Sequence, residues 1–176
     1  GFNNARGIFA DKRMREAVAI AIDKEEIVLG ATNGYATPTD VGITPICPQV
    51  PTDFKGLERD VERAKQLVAE AGYPDGVDVT MRIISASNYS KPAEVVQAQL
   101  KEIGINVSIE AMERASWFDI CYTGGDFDIT IYANPVQVID ADFGAYPFMH
   151  SSEANGGNNY MGINIPKLDD LLDRAR

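Results

Sequence analysis

Val77-Asp78-Val79-Thr80-Met81-Arg82-Ile83, then a helical stretch, then Ile105-Asn106-Val107-Ser108-Ile109-Glu110, decide how this chain folds. In both segments apolar and polar residues alternate, the two-residue period of a strand with one buried face. Between them Val96, Leu100 and Ile103 recur at helical spacing, with a start near Ser90, Pro92 in the first turn and a stop at Gly104. A third alternating run sets Phe127, Ile129 and Ile131 against Asp128, Thr130 and Tyr132. It follows a shorter helix near 114–123 that carries Trp117, Phe118 and Cys121 and ends at Gly124-Gly125. Strand, helix, strand, helix, strand implies parallel strands joined by crossovers, an α/β sheet with strands near 77–84, 105–110 and 127–132. Parallel strands covered on both faces read as continuous apolar runs. The alternation here therefore implies that one face is poorly covered, or is covered by chain outside this sequence.

Working outward, Met14, Ala17, Val18, Ala21 and Ile22 form one apolar stripe on a helix that starts at Asp11. Asp23 is placed to cap the next helix, with Glu26 three positions on, and Gly30 to Gly34 end it. Pro38, Pro45, Pro48 and Pro51 make residues 36–56 an irregular extended loop. Asp60 opens a further helix whose Val61, Ala64, Leu67, Val68 and Ala71 share a face, and Gly72 stands where a left-handed terminal residue belongs. Near the other end, Gly156-Gly157 between asparagines makes residues 153–159 read as a mobile loop. Leu168, Leu171, Leu172 and Ala175 repeat at helical spacing. Gly1 and Phe2 open the sequence without a methionine, and Arg176 closes it inside a helical pattern, so both ends read as cut.

The 176 residues, 45% of them hydrophobic, suffice for one core, and residues 1–176 read as a single α/β lobe. Sixteen basic against 26 acidic residues give a net charge of −10, which repels nucleic acid and anionic lipid; neither is an expected partner. An acidic surface confers solubility and identifies no ligand. Apolar runs are far shorter than the roughly 20 residues a membrane span needs. Cys47 and Cys121 lie 74 positions apart; a disulfide is open to them in an oxidising compartment, but spacing says nothing of geometry.

The catalytic inventory is thin. His150 is the single histidine, and the chain has no G-x-S-x-G, no G-x-G-x-x-G and no P-loop. One histidine and two distant cysteines have no recognised metal-ligand spacing, so no metal and no cofactor are expected. Ligands of open parallel sheets sit beyond the carboxyl ends of the strands. That rule selects Ile84 to Ser90, Ala111 to Trp117 and Tyr132 to Asp142. In the last, Tyr132, Asn134, Gln137 and Asp140 gather aromatic and hydrogen-bonding groups; the alternative is an ordinary polar loop. Asp140 and Asp142, before Phe143, suit capping at least as well as acid–base work.

Five motifs in order resemble a known family. The run Phe9-Ala10-Asp11-Lys12-Arg13-Met14-Arg15-Glu16-Ala17, continued by Ala21-Ile22-Asp23-Lys24-Glu25-Glu26-Ile27-Val28, is similar to a basic helix leading to "A-I-D-R-E-x-I" in family 5 solute-binding proteins of ABC importers, the peptide, nickel and opine type. Ala64-Lys65-Gln66-Leu67-Val68-Ala69-Glu70-Ala71-Gly72-Tyr73-Pro74-Asp75-Gly76 resembles its "A-K-x-L-L-x-E-A-G-Y-x-D-G". Gln97-Ala98-Gln99-Leu100-Lys101-Glu102-Ile103-Gly104-Ile105-Asn106-Val107 resembles "Q-x-Q-L-x-x-I-G-I-x-V". Asp126-Phe127-Asp128 resembles "G-D-F-D", and Asn159-Tyr160 with Leu168-Asp169-Asp170-Leu171-Leu172 resembles the closing motif.

The resemblance implies a periplasmic-binding-protein-like lobe with a largely parallel or mixed sheet flanked by helices, the second large lobe of a two-lobed protein. It implies a non-enzymatic, extracytoplasmic or periplasmic component that captures a small solute, a peptide or related compound, and hands it to ABC permease subunits. Its first lobe and final return strand lie outside the sequence. Peptide-binding members resemble one another in a Gly-Trp pair and a later aspartate that accepts an α-amino group; here Ala133-Asn134 and Gln137 stand in those places. Asp140 with Ala141 stands where the family often has Asp-Pro. Neutral amides suit hydroxyls and amides better than an ammonium. A peptide, a sugar, an opine-like conjugate and a metal chelate all stay open. So do two other classes: a sensory or interaction module of the same fold, and a Cys-His hydrolase using Cys121 and His150.

Overall fold

The computed structural model describes residues 1–43, 46–51, 53–133, 140–154 and 157–176. Helices α1 (Lys12–Ala21), α2 (Lys24–Thr32) and α3 (Val61–Glu70) precede strand β1 (Val77–Ile84). Helix α4 (Ser87–Glu102), strand β2 (Ile105–Met112), helix α5 (Arg114–Trp117) and strand β3 (Ile129–Ile131) follow, with α6 (Ala141–Met149) and α7 (Pro166–Ala175) last. The caps are those the residue types dictate: Asp11 accepts from Arg13 N, Asp23 from Glu26 N and Asp60 from Arg63 N. No described helix is long and apolar enough to cross a membrane.

The sheet order is β2-β1-β3, parallel throughout, with Val77 opposite Ile105 and Met81 opposite Ile129. Gly76 (φ +91°) and Gly104 (φ +83°) immediately precede β1 and β2 and lie side by side, Val77 N donating to Gly104 O at 2.9 Å. Residues 1–3 run antiparallel beside β3, through a Phe2–Ile129 bridge and a bond from Asn3 N to Asp128 O of 3.1 Å.

The alternation in the strands has a physical counterpart. Val79, Met81, Ile83, Ile105, Val107 and Ile129 are buried in one core with Met14, Val18, Leu67, Val68 and Leu100 from the helices. On the opposite face, side chains pair across the register. Asn106 donates to Asp78 at 2.9 Å, and Arg82 binds Glu110 at 2.8 Å and Asp126 at 2.7 Å. The strands alternate because one face packs on helices and the other is held together by polar pairs.

Two expectations are corrected. The third strand is Ile129–Ile131 rather than 127–132, because the Asp128 carboxylate itself takes the Thr80 N–H at 2.9 Å. Helix α4 starts at Ser87, not near Ser90, so Pro92 lies inside it rather than in its first turn. At the two ends of the 153–159 stretch, Ser151–Glu153 form a 3₁₀ turn and Asn159 is fully buried. The Asn159 amide donates to His150 O (3.1 Å) and Ile163 O (2.8 Å) and accepts from Ile163 N (2.9 Å), a three-point tie that a turn-rich sequence hides. Asn155 and Gly156 lie outside the described residues. Both cysteines are free thiols and buried.

Candidate functional site

At the carboxyl ends of β1, β2 and β3 the chain builds an aromatic assembly. It starts from Trp117, the single tryptophan, which ends α5 and is fully buried. The helix continues from it as a π-turn over Phe118–Thr123, which brings the Phe118 and Tyr122 rings together, 5.3 Å between centroids. Trp117 Nε1 donates to Thr130 Oγ1 at 3.1 Å and to Arg82 O at 3.3 Å, while Thr130 Oγ1 donates to Arg82 O at 2.7 Å. These bonds fix the indole against both β1 and β3.

Tyr132, the residue after β3, stacks on that indole with ring centroids 4.8 Å apart and planes 11° apart. Phe118 meets Tyr132 edge-on at 5.9 Å and Trp117 at 5.3 Å. The Arg114 guanidinium lies over the Phe118 ring, 5.4 Å from its centroid. Behind them Tyr122 stacks on Tyr160 at 5.0 Å, and the Tyr122 hydroxyl donates to Asn158 Oδ1. Burial pushes the Tyr160 phenol up to about 12 and raises that of Tyr122, so both stay neutral donors at physiological pH. Tyr132 and Phe118 remain part-exposed, and Ala111 and residues 113–116 are exposed beside them.

Of the four residues singled out by sequence, Tyr132 lies in this assembly. Asp140 is the N-cap of α6, its Oδ1 accepting from Asp142 N at 2.9 Å and Phe143 N at 3.3 Å. Asn134 and Gln137 lie outside the described residues. The strand-end rule selected the segment that holds Arg114 without naming that residue, and sequence reasoning did not single out Phe118, Tyr122 or Tyr160 as site residues; the clustering of Trp117, Phe118 and Tyr122 within six positions was the available signal.

Cys121 and His150 have separate surroundings. Burial pushes the Cys121 thiol up to about 11, and its sulfur faces Asp126 O at 3.9 Å. A thiol so protonated is a poor nucleophile. His150 stacks on Tyr146 at 4.4 Å, its Nδ1 accepting from Ser152 N at 3.1 Å, with its Nε2 3.4 Å from Asp173. Among the described residues no three His, Cys, Asp or Glu side chains are grouped to hold a metal.

The model of the bacterial extracellular solute-binding proteins, family 5 Middle, matches residues 1–156. The oligopeptide-binding protein AppA of Bacillus subtilis is 27% identical over 192 residues, covering 100% of this chain and 35% of that protein. The structure of AppA in complex with a nonapeptide superposes with a TM-score of 0.89 at 28% identity, covering 99% of this chain and 37% of AppA. DppA of Helicobacter pylori in complex with the peptide STSA gives 0.91 at 25% identity, over 99% and 34% of the two chains. AgaA of A. tumefaciens R10 in complex with agropinic acid gives 0.78 at 29% identity, over 99% and 36%. The chain thus spans about a third of the length of the curated relatives that align along all of it.

Proposed function

Because the chain belongs to family 5 of the bacterial extracellular solute-binding proteins, we propose that it is one lobe, residues 1–176, of the substrate-binding component of an ABC importer. In this reading it captures a small solute outside the cytoplasm and delivers it to the permease subunits in the membrane, without chemistry of its own. The observation that carries the reading is the chain-long likeness, TM-scores of 0.89 and 0.91 over 99% of the residues, to two proteins whose structures hold peptides. The part-exposed ring of Tyr132 at the carboxyl ends of a parallel sheet adds to it, since that is where open α/β sheets hold ligands. Asn134 and Gln137, two and five positions further along in sequence, carry amide side chains, and Asp140 caps the following helix.

The solute is a peptide or a related conjugate. AppA and DppA hold peptides and AgaA holds agropinic acid, so one framework serves both chemistries. Lobes of such proteins close on their solute about a hinge, and each supplies part of the contact surface. The test is mass spectrometry of small molecules released on denaturing the intact protein purified from its native compartment, followed by calorimetric titration of the identified compound into the solute-free protein. A retained solute that binds again on titration supports the reading. A protein that retains nothing and responds to no fraction of its growth medium sinks it.

A further inference from the structure

Arg114 is an exposed cation that, among the described residues, is joined to no carboxylate; its guanidinium rests instead on the face of Phe118. In a chain of net charge −10, Arg6, Arg13, Arg59, Arg63, Arg82, Arg174 and Arg176 each meet an acidic side chain, while Arg15 donates to the backbone oxygens of Phe9 and Ala10. A guanidinium over a ring still has N–H groups to donate, and its planar fork can donate to both oxygens of a carboxylate together.

The ring beneath it is not loose. Phe118 abuts Tyr132 and Trp117, and Trp117 is bonded to Thr130 and to the β1 backbone, so packed rings lead from Arg114 to the sheet. A guanidinium already resting on a ring has less side-chain freedom to lose on binding an anion than one free in solvent. The position is the one where open parallel sheets receive ligands, since Arg114 comes two residues after β2 ends and Tyr132 one residue after β3 ends. Arg114 is the one charged group among Arg114, Phe118, Tyr122 and Tyr132, and with its guanidinium on the Phe118 face the sign of that charge favours an anion.

We infer that Arg114, Phe118 and Tyr132 form a subsite for the carboxylate of an acidic solute that also carries a planar or apolar group, Arg114 taking the carboxylate and the rings taking the planar part. The inference rests on the solute-binding reading above and narrows its ligand class: anionic solutes are selected over their neutral counterparts.

The test is calorimetry on the intact protein with matched probes, N-acetylphenylalanine against N-acetylphenylalaninamide and benzoylglycine against its amide. The acid of at least one pair is expected to bind ten-fold or more tightly than its amide. Arg114→Gln is expected to remove that preference, lowering affinity for the acid to that for the amide, and Arg114→Lys to restore part of it. The exposed position of Arg114 leaves the fold unaffected, which circular dichroism checks. Equal affinity for acid and amide, an unchanged preference in Arg114→Gln, or no binding of either acid overturns the subsite. The two readings fail separately: a protein that releases a neutral or cationic solute in mass spectrometry yet ignores both acids remains a solute binder without this subsite.

Discussion

Trp117 shows how one side chain can organise a surface it hardly reaches. Its indole is fully buried, yet it supplies the stacking partner of Tyr132 and ties β1 to β3 through Arg82 O and Thr130 Oγ1. Trp117→Phe keeps an aromatic ring but removes the N–H and part of the volume. The expected cost is about 2 to 3 kcal/mol, combining a lost buried hydrogen bond with a small cavity. Urea denaturation followed by circular dichroism measures it, since the variant has no tryptophan to report. A change below about 0.5 kcal/mol, the size typical of a neutral surface substitution, would mean that the indole hydrogen bonds carry no weight. Cys121 gives a second residue-scale expectation. With its thiol pushed up to about 11 by burial, native protein at pH 7.5 should resist alkylation by iodoacetamide at Cys121, and denatured protein should label readily. Rapid native labelling would show that the pocket around the sulfur opens.

At the scale of elements, the register of the sheet is set where the two longer strands begin. Gly76 and Gly104 both adopt positive φ, and a Cβ on Gly76 would lie 2.7 Å from Gly104 O. Only the absence of a side chain on Gly76 lets the two backbones meet so closely just before Val77 and Ile105 pair, since a Cβ on Gly104 would sit in ordinary contact, 3.5 Å from Gly76 Cα. Gly76→Ala therefore meets a left-handed backbone penalty and a backbone clash together, for an expected loss of about 2 kcal/mol or more. Thermal unfolding measures it. Gly125→Ala, also at positive φ (+59°) but with nothing within 4 Å of its Cβ, should cost less, and equal losses would remove close approach as the cause. The same pairing logic explains the polar face of the sheet, where Asp78 meets Asn106 and Arg82 meets Glu110 as register partners.

Across the whole molecule, Asp126 joins segments far apart in sequence. Arg6 binds it from the N-terminal segment and Arg82 from β1. Those two guanidinium groups, Arg6 first and Arg82 second, hold its carboxyl below the usual carboxylate range. A carboxyl whose folded value is depressed contributes stability above its unfolded value, near 4, and loses it as pH falls through the lower folded value. Asp126→Asn should therefore be less stable than the parent at pH 7, with the difference closing below about pH 4. Because the pair is half-exposed, the difference is expected to be modest and to shrink in high salt. Urea midpoints across pH 3–7 measure it. A gap of the same size at pH 3 and pH 7 would assign the effect to packing rather than charge.

The sequence by itself determined the α/β class, the order of the strands and of every helix but α6, and the helix-starting aspartates, because these depend on local periodicity and on side chains bonding to backbone two or three positions away. Its five motifs also pointed to the family that the comparison assigns. Tertiary structure alone decided that Trp117, Phe118, Tyr122, Tyr132 and Tyr160 form one assembly and that Arg114 rests on it. It alone shortened the third strand through Asp128 and buried Asn159 in a glycine-rich stretch. The physical reason is the same in each case. Stacking, cation–π contact and the sharing of backbone donors join residues that no sequence period relates, so they exist only once the strands have set the distances between them.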